Sequence, residues 1–60
     1  MTKKEKIIDG LRNIAIDNNI AMGKQFTPDN ANDIWYSLIS VYDKHGYDKA
    51  KEYAASYIVA

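Results

Sequence analysis

The chain contains no cysteine. That absence removes disulfides, thiolate metal sites and thiol nucleophiles together. Small secreted domains lean on such staples, so the sequence reads as that of a cytoplasmic protein. Neither sign of charge is in excess, because eight Lys and Arg balance eight Asp and Glu. A protein that grips nucleic acid nonspecifically normally carries a basic surplus. Long apolar runs are missing too, and none approaches the roughly 20 residues of a membrane span. The basic start Met1-Thr2-Lys3-Lys4-Glu5-Lys6 leads into a segment interrupted by Asp9, Gly10, Arg12 and Asn13, unlike a signal peptide.

The chemistry-bearing residues are equally sparse. Glycine occurs only at 10, 23 and 46, each isolated, so no loop can cradle a phosphate. Ser37, Ser40 and Ser56 share a single candidate base, His45, and nothing resembles a nucleophile elbow or an oxyanion loop. Asp43, His45, Asp48 and Glu52 gather around one turn. Asp48 suits a helix cap, His45 suits the last turn of a helix, and no calcium-loop spacing is present. The expectation is therefore a protein without catalytic residues, metal or cofactor.

What the chain does contain is enough to fold. Hydrophobic residues make up 47% of the 60, too many for a disordered tail. The length makes one domain. A domain of that size buries only about 60% of its unfolded surface, which leaves little room for a substrate pocket beside a core.

The pattern predicts an all-α domain of three helices, over about 3–18, 28–45 and 48–58. The first opens with Thr2 and Glu5 at capping-box spacing. Ile7, Ile8, Leu11, Ile14 and Ala15 then fall within about 120° of a helical wheel. Gly10 lies beside that stripe, where it either permits close helix approach or is an indifferent surface glycine. Asn18-Asn19 can end this helix, and Gly23 permits positive φ in the connection. Ile20, Met22 and Phe26 are expected to pack down there as a lid.

The second helix has the clearest start. Thr27 is an N-cap, Pro28 fits the first helical position and Asp29 favours the positive helix end. Phe26 and Ala31 have staple spacing. Ala31, Ile34, Trp35, Leu38, Ile39, Val41 and Tyr42 cover about 160° of the wheel, wider than one partner requires. This helix should be central and stop at Gly46. Asp48 is the expected cap of the third helix, whose stripe is Ala50, Tyr53, Ala54, Tyr57 and Ile58. A link of only Gly46-Tyr47 makes the last two helices an antiparallel hairpin.

The stretch 34–53 resembles a single tetratricopeptide unit. Trp35-Tyr36-Ser37-Leu38 is followed by Tyr42, Lys44 and Gly46, and then by Tyr47-Asp48-Lys49-Ala50-Lys51-Glu52-Tyr53. It departs from the family pattern at Ile39, at the turn after Gly46, which is one residue short, and at Tyr57. The resemblance implies a protein-binding helical module.

Binding to another protein is also what the leftover residues favour. Five Tyr, one Trp and one Phe exceed the aromatic needs of a small core. Tyr36 falls about 140° from the centre of its helix stripe, among Asp29, Asn32, Ser40 and Asp43. Exposed tyrosines are common binding anchors. Ile16 and Ile20 also fall off the first stripe, and either pack under the loop or form part of an interface. Tyr57-Ile58-Val59-Ala60 is apolar, and either packs on the first helix or is buried between two copies, as a homodimer through the C-terminal helix. The expected candidate contacts are thus Tyr36, Ile16, Ile20, Tyr57 and Ile58. The expected role is a regulator or inhibitor of a larger protein, a class that includes small phage accessory factors. The alternative is a helix-turn-helix reader of DNA touching phosphates through Lys3, Lys4, Lys6 and Arg12. Asp29, Asp33 and Asp43 on the central helix argue against it.

Overall fold

Thr2 opens the structure as the sequence requires. Its hydroxyl accepts from the Glu5 N–H at 3.1 Å, and the Glu5 carboxylate accepts from the Thr2 N–H at 2.9 Å. That reciprocal cap holds the Glu5 carboxyl below its ordinary value, because the hydrogen bonds favour the charged form. The computed structural model describes residues 1–59 and contains helices α1 (Lys3–Ala21), α2 (Pro28–His45) and α3 (Tyr47–Ser56), with no strand among the described residues.

Contacts between helix ends fix the topology. Lys4, at the start of α1, pairs with Asp43, near the end of α2, at 2.7 Å. Asn18, near the end of α1, donates to the Ala55 carbonyl near the end of α3 at 3.4 Å. Phe26, just before α2, lies against Tyr57, just after α3, with ring centroids 6.3 Å apart. The three helices therefore run up, down and up, and α2 and α3 form the expected antiparallel hairpin. The molecule measures 30 × 21 × 14 Å, and its long axis matches α1 at about 1.5 Å per residue.

The predicted stripes meet in one core. Ile8, Leu11 and Ala15 from α1, Ile34 and Leu38 from α2, and Ala50 and Ala54 from α3 are buried. Ile7, Ile14, Trp35, Ile39, Val41, Tyr42 and Tyr53 pack around them. All three helices contact one another, and α2 touches both others as its wide apolar arc requires. The core alanines let helices approach closely without leaving a void.

Three local expectations need correction, and the open alternative at Gly10 is decided. α1 runs past the Asn18-Asn19 pair to Ala21, because its stop is Gly23. The Gly23 φ of +78° lets its N–H reach the Ile20 carbonyl and the Lys24 N–H reach the Asn19 carbonyl, each at 2.9 Å. That is a Schellman closure, which outweighs the mild helix aversion of asparagine. Gly10 makes no close approach, since a Cβ there would meet nothing within 4 Å. Asp48 is not the cap of α3. Gly46 turns the chain in one residue, at φ +88° and ψ −177°, so the helix begins at Tyr47 and Asp48 falls in its first turn. Finally, α3 stops at Ser56 rather than Ile58, and Tyr57 is extended at φ −69° and ψ 127°. Asn19 of α1 claims the main chain there.

The two outer glycines predict opposite responses. Gly46 occupies backbone space open essentially to glycine alone, so Gly46→Ala should cost about 1–3 kcal/mol. Gly10 sits mid-helix in open space, so Gly10→Ala should stabilise by up to about 1 kcal/mol. Urea unfolding of both variants checks the pair, and a Gly46→Ala protein as stable as the parent would contradict the turn geometry.

Candidate protein-binding surface

Tyr36 lies on the outward face of α2 and is 71% exposed. The helix places Asp29, Asn32, Ser40 and Asp43 on the same face, all exposed, as the wheel predicted. Asp43 is joined to Lys4, whereas no ion pair engages Asp29 or Asp33 among the described residues. The face is thus an acidic strip with one projecting aromatic ring.

Two of the four basic groups of α1 expected to touch phosphates are engaged within the molecule. Lys4 holds Asp43. Arg12 donates to Asp9 at 2.6 Å, and its guanidinium carbon lies 4.8 Å from the Trp35 ring centroid. A cation over an indole face is stabilised by the ring quadrupole, so Arg12 ties α1 to α2.

The other candidates lie at a different end. Ile20 and Ile58 are 58% and 59% exposed, while Ile16 is half-buried. Met22 is exposed as well, so the expected lid reduces to Phe26, which packs on the core. Tyr57 is half-buried against Phe26 and Tyr53, its centroid 6.2 Å from that of Tyr53. Tyr57 and Ile58 are outside α3, on an extended segment. The structure thus brings Ile20 and Ile58 to the same end of the molecule and leaves Tyr36 separate. Of the four residues in the apolar C-terminal run, Ala60 lies outside the described residues.

The residue that organises this end is Asn19, whose sequence position suggests a helix stop rather than a buried contact. It is fully buried and carries the only buried polar side chain among the described residues. Its Nδ2 donates to the Ala15 carbonyl at 2.7 Å and to the Tyr57 carbonyl at 2.9 Å. Its Oδ1 accepts from the Val59 N–H at 2.9 Å. Val59 is buried in turn, at 4% exposure. The apolar C-terminal segment therefore packs on α1. A signal was present in the sequence: Asn19 follows Ala15 by four residues and continues the apolar stripe of α1 with a polar side chain.

No pocket opens, and no group of three His, Asp or Glu converges, among the described residues. Compared with known proteins, the chain matches no family model, no curated protein and no solved structure. The hairpin that resembled a tetratricopeptide unit is thus described by its own geometry: one glycine joining α2 to α3 around Ile34, Leu38, Ala50 and Ala54.

Two outcomes follow from this end of the molecule. Asn19→Ala strips the Val59 N–H of its acceptor and the Tyr57 carbonyl of a donor, and should cost about 1–3 kcal/mol. Amide exchange should quicken at Val59 well before it does at Leu11, and unchanged protection at Val59 would refute the contact. Burial first, then the nearby Asp33 and Tyr53, raises the Tyr57 phenol above its ordinary value of 10.0. A raised folded value means the contribution is intact below the unfolded value and is lost as pH rises through the folded one. Stability should therefore fall on the alkaline side, and less steeply in Tyr57→Phe, in melts taken from neutral to strongly alkaline pH.

Proposed function

We propose that this chain is a small protein-binding module that acts by association rather than catalysis, as a regulator or inhibitor of a larger protein. The observation that carries this reading is Tyr36, 71% exposed at the middle of α2. The core does not need it: Ile34 and Leu38 of the same helix are fully buried without its help. A tyrosine gives a large contact area with little rotamer entropy to lose, and such residues recur as binding hot spots.

The surroundings of Tyr36 indicate the character of the partner. Asp29 gives this face a negative charge that no ion pair engages among the described residues. A partner surface bearing Lys or Arg would be steered to it, and an Arg could stack on the ring. The same charge disfavours approach to nucleic acid. The engagement of Lys4 with Asp43 and of Arg12 with Asp9 and Trp35 also weakens the phosphate-contacting alternative. No helix is long and apolar enough to cross a membrane among the described residues. Together with the lack of cysteine, this supports a cytoplasmic setting.

The test is a binding comparison between the parent and Tyr36→Ala. Proteins retained from a cell lysate by the tagged parent are identified, and their affinity for both forms is measured at low and high salt. Loss of a hot spot of about 2 kcal/mol weakens binding roughly 30-fold. Added salt should weaken the parent complex further. Equal affinity for parent and variant would remove Tyr36 as the anchor.

A further inference from the structure

The Arg12 guanidinium is fixed in place with donors to spare. Its central carbon lies 4.8 Å from the Trp35 ring centroid, and Nη2 donates to Asp9 Oδ1 at 2.6 Å. A guanidinium carries five N–H donors in a planar fork. Asp9 engages it through Nη2 alone and leaves Nε buried without a partner. A side-on pair through Nε and Nη2 together would have satisfied both nitrogens. Nη1 has no hydrogen-bond partner among the described residues either, and unlike Nε it is not sealed off. The side chain as a whole is 27% exposed. The free end of the fork is therefore open to a partner while its stem is already ordered.

Arg12 belongs to the same surface as Tyr36. Asp43 shares the Tyr36 face of α2 and pairs with Lys4 of α1 at 2.7 Å, so that face borders α1. Arg12 lies eight residues on from Lys4, and Tyr36 lies seven residues back from Asp43. At about 1.5 Å per residue, two antiparallel helices bring them nearly level across the seam. Trp35, on which Arg12 is stacked, is also the neighbour of Tyr36 in the chain. Most charges on this surface are cancelled, Lys4 by Asp43 and Arg12 by Asp9. Asp29 is left without an ion pair among the described residues. An incoming carboxylate or phosphate is opposed by Asp9 and Asp29, whereas a neutral oxygen acceptor is not.

We infer that Arg12 is a contact residue of the Tyr36 surface, where its free donors receive a main-chain carbonyl of a basic partner segment. The inference rests on the proposed Tyr36 anchor and adds a second helix to it. Tyr36 offers the ring, Asp29 the charge and Arg12 the hydrogen bonds. The partner segment therefore presents Lys or Arg toward Asp29 and an unbonded carbonyl toward Arg12. Asp9 and Trp35 are positioning residues. They fix the plane of the fork before binding, so little rotamer freedom is lost when the bond forms. Arg, like Tyr and Trp, is enriched at binding hot spots.

Peptides selected on the full-length parent from a random phage-displayed library supply the probe. They should carry Lys or Arg, and the tightest one is synthesised for affinity measurements. Arg12→Lys keeps the charge and the stem but loses the fork. It should weaken binding about tenfold at low and high salt alike, since the acceptor is neutral. In the parent, the Arg12 Nη resonances should shift and their hydrogen exchange should slow as the peptide is added. Those signals need no variant, so they decide the question should Arg12→Lys lose its helical circular dichroism. Unchanged Nη signals, or Arg12→Lys binding as tightly as the parent, overturn the inference. If Tyr36→Ala is still weakened in that case, the anchor stands without Arg12. Conversely, full affinity in Tyr36→Ala with loss in Arg12→Lys removes the anchor and supports the Arg12 contact. Peptides enriched in Asp or Glu, or an Arg12→Lys loss that vanishes at high salt, identify a carboxylate and overturn the neutral acceptor. A library that yields no peptide bound by the parent overturns both readings.

Discussion

The carboxamide of Asn19 is the contact on which the C-terminal end of this fold depends. It is buried among apolar side chains, where a polar group without partners would cost several kcal/mol. It recovers that cost by bonding to its own helix and to two main-chain groups that would otherwise need water. The backbone carbonyl of the same residue accepts from the Lys24 N–H and so closes α1. One side chain thus sets where the third helix gives way to extended chain and how Val59 reaches the core, beside the turn at Gly23 that stops the first helix. A chain of this size has a net stability of only about 3–9 kcal/mol, at roughly 0.05–0.15 kcal/mol per residue. A single satisfied polar cluster is a large share of that margin.

The remainder of the fold follows from a wide apolar arc on α2. Ile34 and Leu38 fill the centre, and Trp35, Ile39, Val41 and Tyr42 extend the contact to either side. α1 and α3 bring small residues to the meeting point, Ala15, Ala50 and Ala54, so three helices share one narrow core. The polar contacts between α1 and α2 are peripheral. The Lys4–Asp43 pair is exposed and contributes at most about 1 kcal/mol, and Arg12 over Trp35 is the more sheltered of the two.

Much of this was legible in the sequence, and the reason lies in period and punctuation. The stripes through Ile8, Leu11 and Ala15 and through Ile34 and Leu38 are buried as their spacing required. Thr2 with Glu5, and Thr27 with Pro28, mark helix starts through local hydrogen bonds that need no tertiary context. Tyr36 likewise projects outward as its wheel position demanded. What escaped were decisions made by the turn glycines and by residues distant in sequence. Periodicity alone carries α3 on to Ile58, but the Asn19 amide, about 40 residues away, offers the main chain a competing partner. Propensity alone ends α1 at Asn18-Asn19, but Gly23 closes the helix later and burial gives Asn19 a different task. Of the expected lid, Ile20 and Met22 are exposed and only Phe26 packs on the core.

The long span of the Asn19 contact also orders assembly. It joins residues 38 and 40 positions apart, whereas the α2–α3 turn closes across Gly46 alone. Closing the longer loop loses more chain entropy, and it requires that α1 and α3 already lie side by side. The hairpin and the docking of α1 are therefore expected to precede the seating of Tyr57–Val59. On unfolding, the C-terminal segment is expected to detach while the three-helix core is still intact.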